Sequence, residues 1–234
     1  GAGAGAGALV ELDPAEVHHL KVRRVKDGAA VELRDGAGLV GTGVLRLSGR
    51  TARVAVLSSA RAPRPVPLRL AVAAGDRERF AWLVEKATEL GVSDIFPLET
   101  ALTRGVASRL RGAQVERLRR RALEAVKQCG AAWAPVLHPP EPLERFLGRE
   151  RDGTLWLADR AGEPPPTPPP SRPVTILVGP EGGLTEGERA AARDAGYRPV
   201  RLAEHVLRFE TAALVAAASV SLARGAGGGR GGHG

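Results

Sequence analysis

The sequence has little of what marks a secreted, membrane-embedded or metal-binding protein. Among its 234 residues are one cysteine, no methionine and only 3% aromatic side chains. A single thiol, Cys129, cannot close a disulfide within the chain, and this fits a reducing cytoplasm. No stretch approaches the roughly 18 consecutive apolar residues of a membrane helix, and no signal-peptide pattern is present. Metal-ligand spacing is missing too: His18 and His19 are adjacent, and no second cluster accompanies them. Neither a Ser-His-Asp nor a Cys-His arrangement is indicated.

Acidic excess is also absent. Lys and Arg number 34 against 26 Asp and Glu, a formal net charge of +8 with a sequence pI near 10.8. Such a balance favours a polyanionic partner such as nucleic acid. Residues 1–70 carry 11 Lys and Arg against 6 acidic residues, and the rest of the chain 23 against 20. The shorter part is therefore the more basic. Arg greatly outnumbers Lys, as in a GC-biased genome, so Ala, Arg, Gly and Pro carry less information here than usual.

What is present divides the chain in two. Residues 1–8 alternate Gly and Ala and residues 225–234 are Gly-rich. Both read as low-complexity, mobile ends. Between residues 9 and 62 the pattern predicts short strands, at Val31–Arg34, Val40–Leu47 and Arg53–Leu57, with a turn at Asp35-Gly36. A small β-barrel is their natural package. Three prolines in residues 61–67 predict a linker. From 68 to 224 strands alternate with helices, the rhythm of an α/β domain with a mostly parallel sheet. Its expected strands are Leu68–Ala73, Ile95–Leu98, Leu155–Ala158, Val174–Val178 and Pro199–Leu202. Its helices follow Asp76, span 112–129, follow the capping box Thr185-Glu186-Gly187-Glu188, and run from Thr211 to Leu222.

Four segments carry possible chemistry. Val174–Val178 is a buried strand running into Gly179-Pro180-Glu181-Gly182-Gly183 and a helix start. In an open α/β sheet ligands bind at the carboxyl ends of strands, and exposed amides beside glycines can hold polar or anionic groups. Read alone, the segment is equally an ordinary tight turn; it matches neither a Walker A loop nor GxGxxG. Leu202 to Ala212 joins the last strand to the last helix and carries Arg208, with Glu210 and Thr211 suited to the helix start. Lys86 and Glu89 lie on the polar side of an amphipathic helix, a pattern that alone predicts only a solvated face. Arg117 and Arg119 to Arg121 make the helix ending at Cys129 basic, either as plain surface or as RNA phosphate contacts.

Taken in order, these segments resemble the 16S ribosomal RNA uracil-N3-methyltransferase family, ribosomal RNA small subunit methyltransferase E, of the SPOUT superfamily. The resemblance rests on Gly179-Pro-Glu-Gly-Gly-Leu184 and Val206-Leu-Arg-Phe-Glu-Thr-Ala212. It is supported by Ala87–Gly91 with Pro97-Leu98, by Glu124–Gly130 with Pro135, and by His18–Arg24 with Asp35-Gly36. It implies an N-terminal PUA-like β-barrel that binds RNA and a C-terminal α/β domain with a deep trefoil knot, a rare exception to ordinary connection rules. It further implies a cytoplasmic homodimer that uses S-adenosylmethionine, without a metal, to methylate uridine N3 in 16S rRNA of the small ribosomal subunit. Carried onto this chain, the cofactor pocket would comprise Leu177, Gly179, Pro180, Glu181, Gly182, Gly183, Leu202, Ala203, His205, Val206 and Leu207, with a contribution from the loop after Leu155–Ala158. Arg208 and Glu181 would be catalytic, the first stabilising charge on uracil or holding phosphate, the second orienting a donor or accepting a proton. Arg24, Arg77, Arg104 and Arg120 would bind RNA.

The chain departs from the family at four places. Ala131 and Leu102 stand where the family has Arg, Ala74 where it has Lys, and Ala203 where it has Gly. Arg77, Arg104 and Arg117 to Arg121 offer compensating charge. The losses leave two alternatives open: an RNA-binding or ribosome-assembly member with weakened turnover, and a SPOUT methyltransferase with another RNA target.

Overall fold

A computed structural model describes residues 5–49, 51–73, 75–103, 112–149, 152–167 and 171–228, the last three without side chains. The chain forms two compact units, Gly1–Arg64 and Pro65–Gly234.

In the first unit, strands β1 (Leu9–Glu11), β2 (Ala30–Arg34), β3 (Leu39–Ser48) and β4 (Thr51–Arg61) form an antiparallel sheet in the order β1-β4-β3-β2. The Asp35 carboxylate accepts from the amides of Ala37 and Leu39 and so shapes the β2–β3 turn. The all-strand expectation for residues 9–60 is corrected by helix α1 (Pro14–Val22). Its cause is local: Asp13 caps it by accepting from the Glu16 amide, and Pro14 fits the first turn, where no amide hydrogen is needed. Val17 and Leu20 then fall on one face and pack with Leu45, Ala52 and Val54. Residues 5–8 are not loose: the Gly7 amide donates to Val56 and the Val56 amide to Ala8. Residues 1–4 lie outside the described part.

In the second unit, β5 (Leu68–Ala73), β6 (Asp94–Glu99), β7 (Val136–Leu137), β8 (Glu141–Pro142), β9 (Thr154–Glu163), β10 (Val174–Val178) and β11 (Arg198–Val200) form a parallel sheet among the described residues. Its order is β11-β9-β10-β5-β6-β7, with β8 also on β6. The helices are α2 (Arg77–Glu89), α3 (Ala113–Cys129), α4 (Leu143–Leu147), α5 (Glu186–Asp194) and α6 (Phe209–Gly228). Alternation along each strand feeds two cores. Leu70, Val72, Ile176 and Val178 pack with Phe80, Leu83 and Val84 of α2 and Ala213, Ala216 and Ala217 of α6. Ala71, Leu157 and Leu177 pack with Phe146 of α4 and Ala192 of α5.

Helix α2 begins as expected, the Asp76 carboxylate accepting from the Arg79 amide at 2.8 Å. The capping box at Thr185 is complete. Three differences stand out. Strand β9 runs on beyond Ala158 to Glu163, because a register shift lets it keep pairing with β11. Elements β7, β8 and α4 were not expected. Helix α6 starts before Thr211 and continues to Gly228, into the Gly-rich stretch; its end is tied down where Arg224 donates to the carbonyls of Val66, Pro67 and Arg172.

Candidate active site

The carboxyl ends of β9, β10 and β11 open into a cavity of about 320 Å³. Strand β10 is buried throughout, so it delivers the chain rigidly to Gly179. The Gly183 amide then donates to the Pro180 carbonyl at 2.8 Å, closing a tight turn. Gly183 holds φ +73°, a left-handed conformation that costs a residue with Cβ about 1–2 kcal/mol. The turn feeds α5, where the Glu188 carboxylate accepts from the Thr185 amide at 2.8 Å and its hydroxyl at 3.0 Å. The other Glu188 oxygen accepts from the Ala101 amide at 2.8 Å, which ties the Thr100–Thr103 turn to the same loop. On the opposite side, residues 201–208 leave β11 irregularly and enter α6 at the buried Phe209.

This arrangement gathers Gly179, Pro180, Glu181, Gly183, Leu202, Ala203, His205, Val206 and Leu207 around the cavity. Leu177 is not brought there: it is fully buried on the α4–α5 side of the sheet. Nor is Gly182, which lies beneath Leu102; a Cβ on it would sit 2.8 Å from the leucine Cδ1. Arg208 falls between lining residues but is exposed and does not line the cavity, while its carbonyl accepts from the Ala212 amide.

Arg189, Arg201 and Arg79 carried no sequence signal of their own, whereas Asp159 and Arg160 come from the stretch after Ala158 that the resemblance adds to the pocket. Arg160, Arg189 and Arg201 line the cavity with His205, opposed by Asp159 and Glu181. Arg189 is partly committed, pairing with Glu186 and donating to the Leu184 carbonyl at 2.6 Å. Behind Glu181 stands Arg79, its Nη1 3.8 Å from Glu181 Oε1 and its Nε 3.9 Å from Glu210 Oε1. Capping logic had placed Glu210 only at a helix start; in the fold it is 7% exposed.

The expected RNA contacts are dispersed. Arg24 is exposed just after α1 with φ 54°, the one non-glycine residue with positive φ among the described residues. Arg77 and Arg120 are exposed on α2 and α3, and Arg104 lies outside the described residues, as does Ala74. Arg119 pairs with Glu116, and Arg121 with Glu85. Lys86 bridges Glu85 and Glu89 at 2.9 and 2.8 Å. Hydrogen bonds from Lys86 and Arg121 hold the Glu85 carboxyl below its usual value, and those to Glu89 and Glu85 raise Lys86. That cluster joins α2 to α3 and has no part in the cavity. Among the described residues no group of three or more His, Cys, Asp or Glu could hold a metal, and no helix is long and apolar enough to cross a membrane.

Comparison with known proteins gives this cavity its context. The RNA methyltransferase domain family matches residues 62–221, and the RNA methyltransferase PUA domain family matches residues 12–56. The ribosomal RNA small subunit methyltransferase E of Mycobacterium bovis is 35% identical over 239 residues, covering 93% of this chain and 87% of its own. The chain belongs to this methyltransferase family. Its Synechocystis member is 30% identical over 226 residues, 92% of this chain and 73% of its own. The Neisseria gonorrhoeae member, solved bound to S-adenosylmethionine, superposes with a TM-score of 0.82 at 27% identity, covering 94% of each chain. A Legionella pneumophila methyltransferase with bound cofactor gives 0.80 at 26% identity. The α/β architecture with a PUA-like first unit and a parallel-sheet methyltransferase unit is thus that of the family.

Proposed function

We propose that the protein transfers a methyl group from S-adenosylmethionine to N3 of a uridine in 16S rRNA of the small ribosomal subunit. The observation that carries this reading is the cavity at the ends of β9, β10 and β11, walled by the Gly179–Gly183 and Leu202–Leu207 loops. Its volume lies at the lower end of the roughly 300–1,000 Å³ of small-molecule sites. Apolar walls from Leu157, Val178, Phe209 and Ala212 suit a purine ring, and the loop amides and Asp159 suit a zwitterionic amino-acid tail. When bound there, S-adenosylmethionine supplies a methyl group activated by its sulfonium.

Uridine N3 carries a proton at neutral pH, so the chain must accept that proton and favour the anion left behind. In this reading Glu181, at the cavity wall, accepts or orients the proton, and Arg208 stabilises charge on the uracil or holds a neighbouring phosphate. Arg24, Arg77, Arg104 and Arg120 take RNA phosphates, the first unit serving as an RNA-binding module. The left-handed φ of Arg24 belongs to the turn that ends α1, where the Arg24 amide donates to Lys21 and the Val25 amide to Leu20. The reading extends to a cytoplasmic homodimer with the loops around the cavity threaded as a trefoil knot.

The test is methyl transfer to small-subunit particles and to naked 16S rRNA, with the modified base mapped and cofactor affinity measured by calorimetry. Methyl on a uridine N3 is expected. Methyl elsewhere would assign another RNA target. A second reading, RNA binding with weakened turnover, is favoured by Leu102, which covers Gly182 where the family resemblance places an arginine. RNA binding without cofactor affinity would select it.

A further inference from the structure

We propose that Arg79 is a positioning residue for methyl transfer, fixing the Glu181 carboxylate at the cavity wall while buried Glu210 holds Arg79 in place. The inference rests on the reading above, in which Glu181 handles the imide proton.

The Glu181 side chain is exposed and points toward the start of α2. Its carboxylate lies over Gly75, where a Cβ would sit 2.3 Å from Oε2 and 3.2 Å from Oε1. A side chain at Gly75 would make that carboxylate shift from this pose. Arg79, in the first turn of α2, faces the same carboxylate at 3.8 Å. Its own position is set twice. The Asp76 cap holds its amide at 2.8 Å, and Glu210 stands 3.9 Å from its Nε.

Glu210 makes this more than a surface ion pair. It is 7% exposed, and its Oε2 is enclosed with no hydrogen-bond partner among the described residues. A buried carboxylate oxygen without a partner is expensive and seldom kept without a reason. Its neighbouring guanidinium offsets part of that cost. Both separations exceed the 2.7–2.9 Å of a charge-assisted hydrogen bond. The guanidinium thus stands between the two carboxylates, within ion-pair distance of each. The starts of α2 and α6 and the β10–α5 loop meet at this point, so Arg79 couples the Glu181 pose to both helices.

The experiment compares the full chain with R79M, R79K and E210Q in methyl transfer to small-subunit particles. S-adenosylmethionine affinity by calorimetry and the thermal midpoint are measured on the same preparations. Misplacing a reacting group by about 1 Å can cost about 10²-fold. R79M should therefore lower kcat about 10²-fold while KM for the particles and cofactor affinity change by no more than about twofold. R79K, which keeps the charge, should recover about a tenth or more of the lost rate, and E210Q should fall between R79M and wild type. If R79M is too unstable to assay, R79M/E210Q removes the stranded charge and must still show the kcat loss. Wild-type kcat in R79M would overturn the proposal alone. So would a loss that R79K does not relieve, or one matched by equal losses in cofactor affinity and thermal midpoint. Absence of N3 methylation by the wild-type chain would instead overturn the proposed function, and this inference with it.

Discussion

Glu188 offers the sharpest test of how the fold supports the cavity. One carboxylate oxygen accepts from the Thr185 amide and hydroxyl, the other from the Ala101 amide. Replacing it by Gln keeps the shape but turns an NH2 group toward one of two amide donors. A buried donor left without a partner costs about 1–3 kcal/mol. Both turns sit partly at the surface, where water can reach, so E188Q should lose about 1–1.5 kcal/mol. E188A strands both amides, the Thr185 one being half of the capping box, for a total of about 2–3 kcal/mol. T185A removes the hydroxyl end alone and should cost about 1 kcal/mol. For a chain of this size the E188A loss corresponds to a melting point lower by about 4–12 °C.

The same carboxylate also holds the turn that carries Leu102 over Gly182, a turn closed by the Thr100 amide donating to the Thr103 hydroxyl at 2.9 Å. E188A should therefore weaken S-adenosylmethionine binding, whereas L102A should remove the contact and leave stability nearly unchanged. Urea unfolding gives the first quantity and calorimetric titration the second. An E188Q chain as stable as wild type within about 0.5 kcal/mol would refute the hydrogen-bond accounting. Lost stability in E188A with unaltered cofactor affinity would refute the coupling to the loop.

Three further outcomes are expected. Arg224 donates to three carbonyls at 2.8, 3.0 and 3.1 Å, and burial lowers its pKa; R224M should cost about 2–3 kcal/mol in urea unfolding, and a loss under about 0.5 would remove its anchoring role. Burial alone would raise the Asp94 carboxyl, but hydrogen bonds from His138 and Ser93 and the fields of His138 and Arg69 outweigh it and hold the group below its usual value. A lowered folded value means stability that is present above about pH 4 and is lost as pH falls through the folded value, so D94N should flatten the acid limb of a stability–pH curve. R24A and R120A should each lower the salt-dependence slope of RNA binding by about 0.7–0.9 if each contacts a phosphate; unchanged slopes would take those residues out of the interface.

The elements that burial repeats along the chain were readable, and those that depend on meeting another segment were not. Phe80, Leu83, Val84 and Ala87 face one core, so their spacing announces α2, and five buried residues in a row announce β10. Helix α1 left a signal in Asp13, Pro14 and Glu16, but a strand rhythm on either side masked it. Strands β7 and β8, at two residues each, are too short for any period to register. Leu177 could have been kept out of the cavity by alternation alone, since Ile176 and Val178 face one core and Leu177 the other.

Arg79 shows why the rest of the site was hidden. Its backbone obeys a local rule, with Asp76 accepting from its amide, and that rule is legible within four residues. Its side chain answers to Glu181 and Glu210, which reach it only because β10 lies beside β5 and α6 packs against α2. No spacing in the sequence encodes that meeting. Local capping nonetheless fixes where the guanidinium can stand, because it sets the first turn of α2 against the end of β5. The readable part of the sequence thus builds the platform, and the placement of Glu181 follows from how three such platforms converge.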